Sequence, residues 1–84
     1  MLIQSSEFRR HFKKLPQKIK DRAIERLRIF VDDEYNYFLN NHELSGKYKE
    51  YRSINVNGDY RIVFKKTGDS ICLVDVGTHS QLYE

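Results

Sequence analysis

Three histidines and an arginine beside a tight turn are the residues of this chain best suited to chemistry. His11, His42 and His79 carry imidazoles. An imidazole gives and takes protons near neutral pH because its ordinary pKa is about 6.5. Arg61 follows Asn57-Gly58-Asp59, and a guanidinium fork can donate to two phosphate oxygens at once. The only cysteine is Cys72, which excludes a disulfide framework and a cysteine-based zinc site within one chain. With no basic neighbour in sequence to favour a thiolate, Cys72 reads as a small core hydrophobe.

Charge adds a class of partner. Fifteen basic and twelve acidic residues give a net charge of +3. Residues 1–31 carry nine basic and three acidic groups, residues 32–46 four acidic and no basic ones. Residues 47–66 carry six basic and two acidic groups, and residues 67–84 three acidic ones. Two basic blocks around an acidic one fit a polyanion that touches selected surfaces. They also fit two solvated faces. Lys18, Arg22 and Arg26 recur at i, i+4, i+8, a single stripe along a helix.

These groups must be positioned by one small domain, since the chain has 84 residues. Its core is modest, and six Tyr and five Phe can supply much of it. No run suits a signal peptide or the ~20 apolar residues of a membrane span. A short domain without disulfides fits a reducing, cytoplasmic setting.

Residues 1–4 suit a first strand. Ser5 and Ser6 are good helix N-caps, and Phe8, Phe12 and Leu15 mark one face of a short helix. Pro16 marks a new start. From residue 17 to about 39 the apolar positions Ile19, Ala23, Leu27, Phe30, Val31, Tyr35 and Phe38 recur near every 3.6 residues. That pattern predicts one long amphipathic helix. Residues 42–50 read as a loop. The period then changes to two, giving strands over 51–56, 60–65 and 70–76 separated by turns. A three-residue turn, Asn57-Gly58-Asp59, sets Val56 opposite Tyr60 and Ile54 opposite Ile62. This register gathers the apolar side chains on one face and leaves Asn55 and Arg61 on the other. In the last strand Cys72, Val74 and Val76 are expected on the core side, with Asp75 and His79 on the open side. His11, beside Arg9, Arg10 and Lys13, is expected to be solvated or to face a partner.

An ordered set of short motifs runs through the second half. His42-Glu43-Leu44-Ser45-Gly46 precedes Lys47 and Tyr51-Arg52. Gly58-Asp59-Tyr60-Arg61-Ile62-Val63-Phe64 follows, and Gly77-Thr78-His79-Ser80-Gln81-Leu82-Tyr83 closes the set. This set resembles the RelE/ParE superfamily of bacterial toxin–antitoxin toxins, and within it the YafQ-type branch. The resemblance implies an α+β fold in the order β-α-α-β-β-β, a small, mostly antiparallel twisted sheet with an αα-hairpin on one face. It implies one toxin domain over residues 1–84, with no cofactor and no metal. It implies a toxin that enters the ribosomal A site and cleaves mRNA, and a cognate antitoxin that wraps it. His42, Asp59, His79 and Tyr83 fall on the family's loop histidine, turn aspartate, closing histidine and terminal aromatic. Arg61 matches an arginine common across RelE-like members, and Tyr60 stands where the branch has Trp. Asn55 replaces a usual His, which removes a proton-transfer group. Asp75 replaces a usual Arg, which puts a carboxylate where the branch has a phosphate clamp.

Metal-free RNA cleavage needs a base for the 2′-hydroxyl, an acid for the 5′-oxygen and cations for the phosphorane. The resemblance thus casts His79 as the acid, Arg61 as the clamp, and His42 or Asp59 as the base. Lys47, Lys49 and Arg52 would hold a nucleic-acid backbone, and Tyr83 or Tyr60 would stack on a displaced base. Lys18, Arg22 and Arg26 would meet ribosomal RNA or an acidic antitoxin segment. Two other readings of the same chain are a ParE-like toxin that inhibits DNA gyrase by binding, and a weakened relative that only binds RNA or antitoxin. Tyr48 and Tyr51 read as packing.

Overall fold

The computed structural model describes residues 1–83, with the side chain of Lys47 outside the described set. A strand β1 (Leu2–Gln4) leads into helices α1 (Ser6–Lys13) and α2 (Gln17–Asp32). A 3-10 turn (Tyr37–Leu39), the short strand β2 (His42–Glu43) and a second 3-10 turn (Gly46–Tyr48) follow. Strands β3 (Arg52–Asn55), β4 (Tyr60–Thr67) and β5 (Ser70–Thr78) then form a meander, and helix α3 (His79–Tyr83) closes it. The five strands lie in the order β1-β5-β4-β3-β2. β1 runs parallel to β5, and the other pairs are antiparallel.

Burial of one apolar face explains the layers. Phe8 of α1 and Ala23 and Phe30 of α2 pack against Ile54, Val56, Ile62, Phe64, Leu73 and Val76 of the sheet region. The Phe30 and Phe64 rings meet edge to face with centroids 4.8 Å apart, a favoured aromatic geometry. Ser5 is the N-cap of α1: its hydroxyl accepts from Phe8 N–H and donates to the Val74 carbonyl. The hairpin register is the expected one, with Ile54 opposite Ile62 and Asn55 opposite Arg61.

Four expectations are corrected. First, α2 stops at Asp32 rather than near residue 39. Asp32, Asp33 and Glu34 put three carboxylates at the negative end of the helix dipole, which disfavours continuation. Tyr35 and Phe38, read as core, are therefore exposed, Val31 inside the helix is exposed as well, and Leu39 is the buried residue of that segment. Second, a register shift between Val63 and Phe64 skips Val74, so Leu73 and Val76 both reach the core. Cys72 and Val74 are not core residues. Third, Asp75 does not line the same cleft as His79. Its Oδ1 accepts from His11 Nδ1 at 2.6 Å, which ties β5 to α1 and gives His11 an internal partner. Fourth, residues 42–43 are an edge strand rather than loop, and the chain after β5 turns into α3. Among the described residues no helix is long and apolar enough to cross a membrane.

Candidate active site

β2 is only two residues long, yet it is firmly held. His42 lies opposite Ser53 and Glu43 opposite Arg52. Arg52 Nε donates to Asn41 Oδ1 at 2.8 Å, and its Nη1 lies 3.4 Å from Glu43 Oε1. The same guanidinium stacks over Tyr35, 5.7 Å from the ring centroid. Arg52 thus grips the residues on both sides of His42. Asn40 adopts a left-handed conformation with φ 48°, which Asn tolerates better than most residues. Its carbonyl lies 2.7 Å from His42 Nδ1. A carbonyl can only accept, so Nδ1 carries a proton. In the neutral ring Nε2 is then the unprotonated nitrogen, free to act as a base.

Arg61 sits near the start of β4, opposite Asn55 on one side and Gly77 on the other. Its Nη1 donates to the carbonyls of Asn57 at 2.8 Å, Gly58 at 3.2 Å and Tyr60 at 3.2 Å. The turn thereby holds one edge of the guanidinium. Nε and Nη2 have no partner among the described residues, and they form an edge able to meet two phosphate oxygens.

His79 and Tyr83 are four residues apart on α3 and share one face of it. Their rings pack edge to face with centroids 4.8 Å apart. Tyr48 packs against Tyr83 with centroids 5.8 Å apart, and its hydroxyl donates to the Leu82 carbonyl at 2.9 Å. The Asp59 carbonyl accepts from His79 N–H at 3.2 Å.

These segments converge. His42, Arg61, His79 and Tyr83 line one cleft of about 490 Å³, together with Asn40, Leu44, Ser45 and Tyr48. The cleft holds two imidazoles, a guanidinium edge and aromatic rings. That set can move two protons, hold an anionic phosphorus centre and stack on a base.

The other sequence candidates lie elsewhere. Asp59 is exposed in the turn and outside the cleft lining. Tyr60 lines a second cleft of about 350 Å³ with His11 and Asp75, and packs against the core. Arg52 is engaged by Asn41, Glu43 and Tyr35 and does not line the cleft. Arg26 Nε donates to the Val56 carbonyl at 3.4 Å. Lys18, Arg22 and Lys49 are exposed. The Lys47 side chain lies outside the described residues.

Sequence reasoning missed three contributors. Asn40 supplies the carbonyl that sets the His42 tautomer, and Asn before a short polar segment was the available signal. Thr78 and Gln81 shape the start of α3, and T-x-x-Q is a readable helix-start signature.

The comparisons with known proteins agree with this fold. The family described as "Bacterial toxin of type II toxin-antitoxin system, YafQ" matches residues 2–84. The chain is similar to a crystal structure of YafQ from E. coli strain BL21(DE3), with a TM-score of 0.85 at 18% identity, covering 100% of this chain and 98% of that one. It is similar to YafQ in the E. coli DinJ-YafQ complex, with a TM-score of 0.78 at 22% identity, covering 100% and 98%. The RelB-RelE antitoxin-toxin complex from Methanococcus jannaschii gives a TM-score of 0.77 at 23% identity, covering 96% and 94%. At these identities the likeness is one of fold. A search of curated protein sequences finds no match.

Proposed function

The chain belongs to the YafQ family of bacterial toxins of type II toxin–antitoxin systems, and from that premise we propose that it cleaves mRNA in the ribosomal A site without a metal ion. Structures of toxin–antitoxin complexes with this fold support a cognate antitoxin as its partner. The observation that carries the reading is the meeting of His42, Arg61, His79 and Tyr83 in one cleft, from three distant parts of the chain.

In this mechanism His42 Nε2 takes the proton of an RNA 2′-hydroxyl. The oxygen attacks the adjacent phosphorus and forms a phosphorane. Arg61 Nε and Nη2 donate to its non-bridging oxygens, where charge builds up in the transition state. The bond to the 5′-oxygen breaks, and His79 gives that oxygen its proton. The products are a 2′,3′-cyclic phosphate and a 5′-hydroxyl. Tyr83 orients the His79 ring and offers a face for a displaced base. Asp59 acts through its carbonyl on His79 N–H. Lys49, beside the cleft in sequence, contacts the backbone of mRNA or ribosomal RNA, as do Lys18 and Arg22 on α2.

The substitution of Asp75 for the branch's usual Arg is compatible with this reading. Its carboxylate is bound by His11 and lines the second cleft rather than the first, so it does not oppose the scissile phosphate at contact distance. A toxin that inhibits gyrase by binding alone has no need of two imidazoles around a guanidinium edge.

Primer extension on a defined mRNA in a bacterial translation extract tests the reading. Wild-type protein should create new ends only with translating ribosomes, and His79→Ala should abolish them. Growth arrest without new ends would overturn the nuclease reading and direct attention to gyrase.

A further inference from the structure

His79 stands on a helix of five residues, a length that has no stability of its own. Its position must come from what holds the turn, and three backbone donors are satisfied there. Thr78 N–H donates to Gln81 Oε1 at 2.9 Å, and Gln81 N–H donates to Thr78 Oγ1 at 3.2 Å. This reciprocal pair is a capping box. His79 N–H donates to the Asp59 carbonyl. Gly77 completes the device, because a Cβ there would stand 2.8 Å from Gln81 Oε1 and 3.4 Å from Gln81 Cβ. A Cβ there would push the amide oxygen away from the Thr78 N–H that it accepts from.

The only side chains that α3 offers to the cleft are His79 and Tyr83, at its two ends. Gln81 faces the second cleft, so the device acts from outside the site. From this geometry we infer that Gly77, Thr78 and Gln81 are positioning residues for RNA cleavage, setting the His79 ring against Tyr83 in the cleft that Arg61 also lines, through the capping box. The inference rests on the nuclease reading and deepens it. It separates the glycine, threonine and glutamine of the closing motif from the histidine that does the chemistry.

The test compares Thr78→Val, which keeps the shape and removes the hydroxyl, with Thr78→Ser, which restores it. Gln81→Met removes the other half of the box. Single-turnover cleavage is followed on mRNA-programmed ribosomes, with His79→Ala alongside and melting transitions recorded for each variant. Thr78→Val and Gln81→Met should each lower the saturated rate about tenfold, with the half-saturating ribosome concentration unchanged. Thr78→Ser should cleave like wild type. The double variant should be no slower than either single one, because the two residues act as a unit. The His79 ring protons should also lose the ring-current shift imposed by Tyr83, a signature that needs no activity. If Thr78→Val does not fold, Gln81→Met carries the same comparison. Wild-type rates in both variants, a loss confined to the half-saturating concentration, or failure of Thr78→Ser to rescue would each overturn the positioning role. Full cleavage by His79→Ala would instead overturn the nuclease assignment of His79.

Discussion

Replacing Arg61 by lysine tests the phosphate clamp quantitatively. A guanidinium has five N–H donors in a rigid fork. Here Nη1 is occupied by the carbonyls of Asn57, Gly58 and Tyr60, which leaves the Nε–Nη2 edge for two phosphate oxygens. Lysine carries one ammonium. It can reach the three carbonyls or the phosphate, but it cannot hold both in the same geometry. Arg61→Lys thus loses at least one charge-assisted hydrogen bond in the transition state, worth about 1.5–3 kcal/mol. At about 1.36 kcal/mol per decade that is roughly a 10- to 150-fold slower reaction. The loss should fall on the saturated rate, since the charge that the fork meets develops on the phosphorane. Single-turnover cleavage on programmed ribosomes, across a range of ribosome concentrations, reads the two parameters separately. Arg61→Ala should be slower still and should also loosen the turn, because the Asn57 and Gly58 carbonyls lose their donor. If Arg61→Lys cleaves within threefold of wild type, the Nε–Nη2 edge is not on the phosphate. Arg61 would then be a turn clamp only.

Four further outcomes follow from the geometry. Asp75→Ala removes the partly buried tie to His11 and should cost about 1 kcal/mol in denaturant unfolding, while cleavage in the other cleft stays at the wild-type rate. Asp59→Ala keeps the carbonyl that accepts from His79 N–H, so its cleavage rate should stay within about threefold of wild type, whereas a catalytic carboxylate would cost about 100-fold or more. Lys18→Ala with Arg22→Ala should flatten the dependence of ribosome affinity on log salt by about 1 unit of slope for each phosphate no longer neutralised, measured as binding at several ionic strengths. Arg26→Ala should show less of that effect, since Arg26 is turned toward the Val56 carbonyl.

What could be read in advance depended on how local the cause was. The hairpin register was legible because apolar parity over Ile54, Val56, Tyr60 and Ile62 admits one pairing that buries them together. The convergence of His42, Arg61, His79 and Tyr83 was legible only through the resemblance, since these residues come from segments with no local signal in common. The shift that skips Val74 was hidden, because one extra residue in a strand leaves no mark in its composition. It overturned the parity of Cys72. The end of α2 was misread because Tyr35 and Phe38 continue the helical period by coincidence, while the acids at 32–34 carried the stop signal. The contacts of Arg52, read as a nucleic-acid-backbone residue, were hidden because Asn41 and Glu43 lie about ten residues away and meet it only when β2 pairs with β3.

The parallel pairing of β1 with β5 also bears on the order of assembly. Both meander hairpins close over tight turns, so their strands meet quickly after collapse. Leu2 must instead find Ile71, and Ser5 the Val74 carbonyl 69 residues away, at the full entropy of closing nearly the entire chain. The nucleus should therefore form from β3, β4 and β5, with the N-terminal strand docking afterwards. Until it docks, β5 is an open edge with unpaired backbone groups, the kind of surface that recruits another chain. A toxin stripped of its first strand would thus be prone to strand exchange and aggregation even with its cleft residues all present.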